Sequence, residues 1–346
     1  MESYLSNLMQ GLPMLALVAI VAGSIGVLGK GADILVSEAV VLSAKWGVPK
    51  MLIGATVVSL GTTLPEVSVS VVAALSGTPG LALGNAVGSV ICDTGLILGI
   101  ATLIAPLKLN PRVVNRQGWI QLGSGVLLVV VSIPFVPVES LLTVGGRIPQ
   151  YVGWILLLFL VLYIILSVRW GQREDLALEN PKGADEAGGK RGWVVLVLLI
   201  LGIVMVVGSS EILIPAVREI ALRMRIPDSV IGATLVAFGT SLPELVTAIT
   251  SARKGHGDLA VGNIIGADIL NVLFVVGAAA SVTSGGLSVQ PDFYRLLFPT
   301  MLLVLVIFRI GISASRDTMK RPFGALLLGL YIVLTVVSYL HNAATG

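Results

Sequence analysis

Long apolar segments alternate with short polar breaks along nearly the whole chain. Each segment has about 20 residues or more, the length that an α-helix needs to cross the hydrocarbon core of a bilayer. We therefore predict an all-α polytopic membrane protein with ten transmembrane helices. The ten predicted spans cover residues 11–42, 47–76, 79–105, 117–136, 149–168, 192–223, 227–252, 257–284, 291–311 and 322–341.

The composition agrees with a chain that lies mostly in lipid. Of the 346 residues, 55% are hydrophobic and 12% are charged, and the mean hydropathy is +0.98. Soluble domains carry about twice as many charged residues. The net charge of +3 gives no indication of a nucleic-acid partner, and a single cysteine, Cys92, excludes an intrachain disulfide. The acidic start MESYLSNLMQ does not resemble the basic start of a cleaved signal peptide.

Basic residues fall unevenly on the two sides that the ten spans define. Sixteen Lys and Arg residues lie on one side and five on the other, with Lys30 inside the first span. The richer side of a membrane protein faces the cytoplasm. We therefore predict an integral protein of the cell (inner) membrane with both termini outside. The long polar stretch 169–191 is then a cytoplasmic linker between a first half, 1–168, and a second half, 192–346.

The two halves repeat each other at a constant offset, which places Glu66 on Glu244. The stretch GATVVSLGTTLPEV at Gly54 recurs as GATLVAFGTSLPEL at Gly232, and LALGNAVGSVICD at Leu81 recurs as LAVGNIIGADILN at Leu259. Each half contains five predicted spans. Because five is odd, the second half enters the membrane from the opposite side, and the repeat is predicted to be inverted. Inverted repeats are a common plan of secondary transporters, which bind their substrate at the midplane between the repeats.

The most similar part of the repeat places an acid in the middle of a predicted span. A bare carboxylate there costs several kcal/mol, so Glu66 must face a partner, a cavity or an ion. Thr62 and Thr63 precede it by four and three residues, so that both hydroxyls can lie on the carboxylate's face. Pro65 cannot donate to the carbonyl of Gly61, so this oxygen is free for a cation. The second half repeats the pattern with Thr240, Ser241, Pro243 and Glu244.

The following span of each half adds further oxygen atoms. Asn85, Ser89 and Asp93 are four residues apart and share one helical stripe. In the second half the stripe contains Asn263, Ala267 and Asn271, and Asp268 lies one residue off it. All these groups are oxygen donors without a histidine among them, so soft transition metals fit poorly. Ca²⁺ takes about 6–8 oxygen ligands, and two glutamates would balance its charge.

Two charged residues in the first span have a simpler interpretation. Lys30 and Asp33 are three residues apart and are predicted to pair with each other. Asp33 matches Glu211 in the repeat, which leaves open a weaker role in the ion path.

These motifs resemble the cation/Ca²⁺ exchanger superfamily, specifically the prokaryotic form of its Na⁺/Ca²⁺ exchanger branch. The resemblance rests on GTTLPE, GTSLPE, GNAVGSVICD and GNIIGADILN and covers nearly the whole chain. It implies ten helices and alternating access, with Ca²⁺ extruded as several Na⁺ ions enter. It implies no cofactor and no protein partner, so that a monomer is sufficient. The long helices 11–42 and 192–223 would slide across the core as the gating unit.

The resemblance also implies the roles of individual residues. Glu66 and Glu244 would be the central Ca²⁺ ligands, and Thr62 and Thr240 would offer it further oxygens. Other residues would form flanking Na⁺ sites or lend main-chain carbonyls. The Na⁺ sites would use Thr63, Ser241 and Ser89, the carbonyls would come from Ser59 and Ala237, and Asp93, Asn271 and Asp268 complete the expected ion-binding set.

The chain departs from the family pattern at three places, and the added acid keeps a second function open. Ala267 replaces a usual Ser, Val90 a usual Asn, and Asp268 a usual Asn. Asp93 and Asn271 occupy matched positions, at which relatives carry Asn or Asp in varying combinations. Four acids in one low-dielectric core cannot all be ionised without a cation. Ca²⁺/H⁺ or another cation/H⁺ exchange that uses Asp93 and Asp268 is therefore the alternative to Na⁺/Ca²⁺ exchange.

Two further classes are less consistent with the sequence. An intramembrane aspartyl enzyme would need a pair of aspartates near each other, whereas the acids that repeat between the two halves are glutamates. A passive channel usually gains its symmetry from several subunits, whereas the symmetry here is internal. We therefore predict a transporter and not an enzyme.

Overall fold

The computed structural model describes residues 2–133, 141–173, 191–224, 239–315 and 317–345. In these ranges the chain is mostly helical, with a few very short strands. The helices are α1 (Glu2–Gln10), α2 (Met14–Trp46), α3 (Lys50–Thr62), α4 (Leu64–Leu75), α5 (Pro79–Ile104), α6 (Pro111–Ser132), α7 (Gln150–Arg173), α8 (Gly192–Arg223), α9 (Leu242–Arg253), α10 (Gly257–Val282), α11 (Phe293–Ala314) and α12 (Arg321–Thr345).

Six of the described helices are long and apolar enough to cross a membrane. They are α2, α5, α7, α8, α10 and α11, and the pair α3 and α4 would make a seventh span with a 45° bend. A mostly helical membrane fold is thus confirmed, and the number of ten spans stays a prediction. The predicted span 227–252 lies in part outside the described residues.

Several helix boundaries differ from the predicted ones for local reasons. Asn110 caps α6, because its Oδ1 accepts from the main-chain N–H of Arg112 at 3.1 Å and of Val113 at 3.3 Å. The helix therefore begins six residues before the predicted span. Helix α7 continues to Arg173, into the stretch that we predicted as linker. The short helix α1 was missed altogether.

The helices recur at the same offset as the sequence motifs. The offset that places Glu66 on Glu244 also places the first residues of α2, α4 and α5 on those of α8, α9 and α10. The second residue after each of α4 and α9 is a glycine, Gly77 and Gly255, with φ values of 78° and 76°. Only glycine adopts such a conformation without strain. The local backbone is therefore the same at matched positions of the two halves.

Two short antiparallel ladders join the first half of the chain to the second. Strand β1 (Leu107–Lys108) pairs with β4 (Thr318–Met319), and β2 (Gly146–Ile148) pairs with β3 (Leu287–Val289). The all-α prediction was wrong in this detail. Strands of two or three residues have too few positions to show an alternating pattern of polar and apolar residues.

Helix α10 crosses α3 at close range in the centre of the molecule. A side-chain carbon at Gly262 would overlap the carbonyl of Met51, and one at Gly266 would overlap Ala55 and the hydroxyl of Ser59. Small residues allow two membrane helices to approach this closely. The crossing places the repeated stretch that begins at Gly54 in the first half against the one that begins at Leu259 in the second half.

Helices α2 and α8 pack along each other at the outer side of this core. They meet closely at Gly31 and Gly202, whose missing side chains leave room for Val206 and Leu35 respectively. Their outer faces carry exposed apolar side chains such as Ile25, as expected for helices in contact with lipid.

Candidate cation-binding site

A break in the helix places each repeated glutamate at a helix start. Helix α3 ends at Thr62 and α4 begins at Leu64, so that Glu66 lies in the first turn of α4. Glu244 lies in the first turn of α9. The prolines stand at the start of these helices, where the missing N–H costs nothing. The positive end of each helix dipole is therefore near a carboxylate.

Four buried carboxylates lie close enough to interact in this region. Glu66 and Asp93 are 0% exposed, and Glu244 and Asp268 are 1% exposed. Glu66 and Asp93 interact with each other and with Glu244, and Asp93 also interacts with Asp268. Within the described ranges, no Lys or Arg pairs with any of the four. Positive charge must therefore come from ions or protons.

The hydroxyls of each motif face the glutamate of the opposite half. Ser241 Oγ donates to Glu66 Oε1 at 3.5 Å, and the hydroxyls of Thr62 and Thr63 face Glu244. The expected arrangement, with both threonine hydroxyls on the face of Glu66, is wrong, because a 45° break separates α3 from α4. The site is shared between the halves as a result.

Asn85 ties the two motifs together through three contacts. Its Nδ2 donates to the main-chain oxygen of Glu66 at 3.3 Å and to Ser70 Oγ at 3.0 Å. Its Oδ1 accepts from Thr240 Oγ1 at 3.4 Å. The equivalent Asn263 is fully buried, and neither of its side-chain polar atoms has a partner within the described residues. The two amides are thus in different environments.

Of the two expected main-chain ligands, only Ser59 lies among the described residues. The carbonyl of Ser59 accepts from the main-chain N–H of Thr63 at 2.9 Å and from Thr62 Oγ1 at 3.4 Å. This carbonyl therefore already has two donors. Ala237 lies outside the described residues.

Two further expected ligands, Asp93 and Asn271, lie where wider turns interrupt α5 and α10. Asp93 is in the π-helical turn Cys92–Ile97, and Asn271 begins the π-helical turn Asn271–Val276. Such turns often mark functional sites in helices. Ser89 Oγ is 3.5 Å from Ser241 Oγ. The carboxylate of Asp93 and the amide of Asn271 have no hydrogen-bond partner among the described residues.

Asp268 has two partners that the sequence analysis missed. Thr94 Oγ1 and Gln121 Nε2 both donate to its Oδ2. Gln121 lies on α6, outside both motifs, and one signal for it was available. Gln117 and Gln121 are polar residues four apart in an otherwise apolar span, and both are buried.

The acids alone do not form a metal cluster. Within the described ranges, no group of three or more His, Cys, Asp or Glu side chains is placed to hold a metal ion. A cation here would need hydroxyl, amide and main-chain oxygens as well. Hard cations such as Ca²⁺ and Na⁺ accept such ligands.

Asp33 forms a different ion pair from the one that we predicted. Its Oδ1 is 3.0 Å from Lys254 Nζ, which also donates to the Asp33 carbonyl at 2.9 Å and to Ser37 Oγ at 3.1 Å. Lys30, three residues earlier on the same helix, is exposed. The contact fastens α2 to the end of α9.

A cavity of about 680 Å³ opens near this end of α9. Lys50, Lys108 and Asp258 are among its lining residues, and Lys50 Nζ is 3.4 Å from His256 Nδ1. Burial, and then the positive charges of Lys50 and Lys254, lowers the pKa of His256 to about 4. The imidazole ring is therefore neutral at neutral pH.

Comparisons with known proteins find relatives that cover nearly the whole chain. The family model described as "Sodium/calcium exchanger protein" matches residues 16–169 and 194–340. The chain is 34% identical to "Inner membrane protein YrbG" of Escherichia coli (strain K12) over 312 residues, which cover 89% of this chain and 92% of that one. It is 30% identical to "Sodium/calcium exchanger MaX1" of Methanosarcina acetivorans over 335 residues, which cover 90% and 95%.

A solved structure has a similar fold over nearly the same length. It is the sodium-calcium exchanger NCX_Mj soaked with zero Na⁺ and Ca²⁺. The TM-score is 0.78 at 27% sequence identity, and the match covers 95% of this chain and 100% of that one.

Proposed function

The chain belongs to the sodium/calcium exchanger protein family, and from this premise we propose that it is a secondary antiporter that exchanges Na⁺ for Ca²⁺ by alternating access. The observation that carries the proposal is the position of Glu66 and Glu244. Both are buried, both lack a basic partner among the described residues, and both are faced by hydroxyls of the opposite half. A divalent cation between them would balance their charge.

The proposed ligands follow from these positions. Glu66 and Glu244 bind Ca²⁺ together with Thr62 and Thr240. The flanking Na⁺ ions use the remaining hydroxyl, amide and carboxylate groups together with main-chain carbonyls. These groups belong to Thr63, Ser241, Ser89, Asp93, Asn271, Ser59 and Ala237, and Asp268 completes the set by contributing its charge beside the bound ions. The cycle moves ions without breaking covalent bonds, so the protein acts as a transporter that needs no enzyme chemistry and no cofactor.

The proposed architecture is ten transmembrane helices in two inverted halves, 1–168 and 192–346. Support comes from the shared offset of the repeated motifs and of α4 and α9, and from the reciprocal ladders β1–β4 and β2–β3. The proposed orientation puts the linker 169–191 in the cytoplasm and both termini outside, in the cell (inner) membrane. A monomer contains both halves of the site, so no protein partner is needed.

Helices α2 and α8 are proposed as the gating unit. They pack mainly against each other through Gly31 and Gly202 and keep exposed apolar outer faces. A pair that is bound to its own partner more than to the core can slide across the core as one body.

A vesicle assay tests the proposal directly. The purified full chain is reconstituted into liposomes loaded with Na⁺, and uptake of radioactive Ca²⁺ is followed after dilution into Na⁺-free buffer. Uptake should require internal Na⁺ and should be absent from empty liposomes. Uptake that ignores Na⁺ would contradict Na⁺ coupling.

Proton coupling is the second candidate, and the buried pair Asp93 and Asp268 favours it. Neither acid has a counterpart acid at the matched position of the other half, since Asn271 and Val90 stand there. The same liposomes with a pH gradient and no Na⁺ gradient separate the two. Uptake that follows only the pH gradient would establish Ca²⁺/H⁺ exchange instead.

A further inference from the structure

Three buried polar side chains form a closed hydrogen-bonded group beside the proposed ion site. Thr94 Oγ1 and Gln121 Nε2 donate to Asp268 Oδ2, and Gln121 Nε2 also donates to Thr94 Oγ1 at 3.1 Å. The three residues are at most 1% exposed. They come from α5, α6 and α10, so the group depends on the packing of three helices.

The group exists on one side of the internal repeat only. The positions that match Asp268 and Thr94 in the other half hold Val90 and Val272. Neither of these side chains can donate or accept a hydrogen bond. The acid and its hydroxyl donor are therefore absent together from the other half. This shared difference indicates that they act as one unit.

The donors leave Asp268 with a single oxygen for other contacts. Two donors already point at Oδ2, so a cation cannot approach this atom without displacing them. Oδ1 has no hydrogen-bond partner within the described residues. The acid interacts with Asp93 and Glu244. Hydrogen bonds to a carboxylate are among the stronger ones in proteins and fix its orientation.

We propose that Gln121 and Thr94 are positioning residues that hold the Asp268 charge at a fixed place beside the ion site and so set the preference for Ca²⁺ over Na⁺. This inference rests on the proposed exchange function. The interaction energy with a fixed charge is twice as large for a divalent ion as for a monovalent ion at the same distance. Loss of the fixed orientation therefore weakens Ca²⁺ binding more than Na⁺ binding.

Gln117 provides a matched control for Gln121. It lies one turn earlier on α6 and is 0% exposed. Its amide donates to Ser167 Oγ at 3.5 Å, and its Oε1 accepts from Tyr163 at 3.1 Å. Neither of these contacts is to a carboxylate. A Gln→Met change there removes buried hydrogen bonds and leaves Asp268 untouched.

The test compares Gln121→Met with Gln117→Met in reconstituted full-length protein. Half-saturating Ca²⁺ and Na⁺ concentrations and maximal uptake rates are measured for each. Gln121→Met should raise the half-saturating Ca²⁺ concentration by about 3–10-fold, which corresponds to the free energy of one lost hydrogen bond. The half-saturating Na⁺ concentration should change by less. Gln117→Met should leave both concentrations near those of the wild type, whatever happens to its maximal rate.

Thr94 gives an independent pair of variants. Thr94→Val keeps the shape and removes the hydroxyl, and should shift half-saturating Ca²⁺ in the same direction as Gln121→Met. Thr94→Ser keeps the hydroxyl and should restore the wild-type value to within about twofold. The Ca²⁺-dependent rise of the unfolding temperature in detergent measures the same affinities without transport.

The outcomes separate this inference from the proposed function. If the wild type shows no Na⁺-driven uptake, Na⁺/Ca²⁺ exchange is wrong. If the wild type does show Na⁺-driven uptake, any of three results overturns the positioning role. The half-saturating Ca²⁺ concentration is unchanged in Gln121→Met and Thr94→Val, or Gln117→Met raises it as much as Gln121→Met does. The third result is an equal rise of the half-saturating Na⁺ and Ca²⁺ concentrations in Gln121→Met. Should Gln121→Met fail to fold, the Thr94 pair decides.

Discussion

The two repeated regions carry the same acid at the same helix start, but the atoms around the acids differ. Ser241 Oγ donates to Glu66 Oε1 at 3.5 Å, whereas Glu244 is faced by two hydroxyls, those of Thr62 and Thr63, and neither forms a hydrogen bond with it. Further along, Ser89 and Ala267 occupy matched positions. The central charges have thus stayed equal while the flanking groups have diverged. We infer that both halves bind the central cation and that ion preference is set unequally.

The central charges give the largest expected effect. Glu66→Gln and Glu244→Gln should each reduce Ca²⁺ uptake by about 100-fold, because loss of one of two buried charges on a divalent ion costs several kcal/mol. The measurement is Na⁺-driven uptake in liposomes. The control is Glu219→Gln, which alters a glutamate paired with Arg223 away from the site.

Equal losses in both variants would confirm that the two halves share the central ion. A large loss in one variant and normal uptake in the other would contradict the symmetric role. Normal unfolding temperatures in ion-free detergent are needed to show that the variants are folded.

The close crossing of α10 and α3 gives the second effect, on stability. Gly262→Ala places a carbon against the Met51 carbonyl, so it should destabilise the protein by about 1–3 kcal/mol. Gly26→Ala on the exposed face of α2 is the control, since a carbon there meets nothing within 4 Å. Thermal unfolding in detergent measures both variants. Equal unfolding temperatures would show that the crossing is looser than described.

The Ser89 and Ala267 difference gives a third, smaller effect. Ser89→Ala should raise half-saturating Na⁺ by about 2–5-fold, because one hydroxyl ligand is lost. Ala267→Ser should lower it by a similar factor, since it makes the second half like the first. Uptake at a series of Na⁺ concentrations tests both. Opposite shifts support unequal Na⁺ sites, and a change in half-saturating Ca²⁺ alone would contradict the assignment.

The contact of Lys254 with α2 gives the smallest effect. Its matched position in the first half is Ser76, so Lys254→Ser removes an ion pair that one half lacks. Surface ion pairs contribute at most about 1 kcal/mol, and the exchange rate should rise by less than about fivefold. Lys254→Arg, which keeps the charge, should behave like the wild type. A fall in rate would show that the contact assists the helix movement instead of restraining it.

The sequence predicts most of the helices and the central acids of this protein for physical reasons. Apolar runs and helix-start prolines are local features, and the repeat singles out Glu66 and Glu244 from all other acids. The hydrogen-bond partners of the acids depend on the angle of the break between α3 and α4. No local sequence pattern predicts this angle. The spacing of Thr62 and Glu66 in the sequence therefore indicates the wrong glutamate as the neighbour of Thr62.

Contacts between distant segments account for the other differences. Asp33 pairs with Lys254, 221 residues away, although Lys30 is nearby in the sequence. Gln121 reaches Asp268 from a helix without a repeated motif. Such contacts follow from helix packing, and a single sequence carries no direct record of them.

The two ladders have a consequence for synthesis of the chain. Leu107 pairs with Met319, so the strand that follows α5 emerges from the ribosome long before its partner, which lies near the other end of the chain. At about 5–20 residues per second this delay is roughly 10–40 s. During that time the first half holds an unpaired strand edge and Glu66 without the Ser241 hydroxyl. We therefore expect the first half to stay in contact with the insertion machinery until the second half has been synthesised.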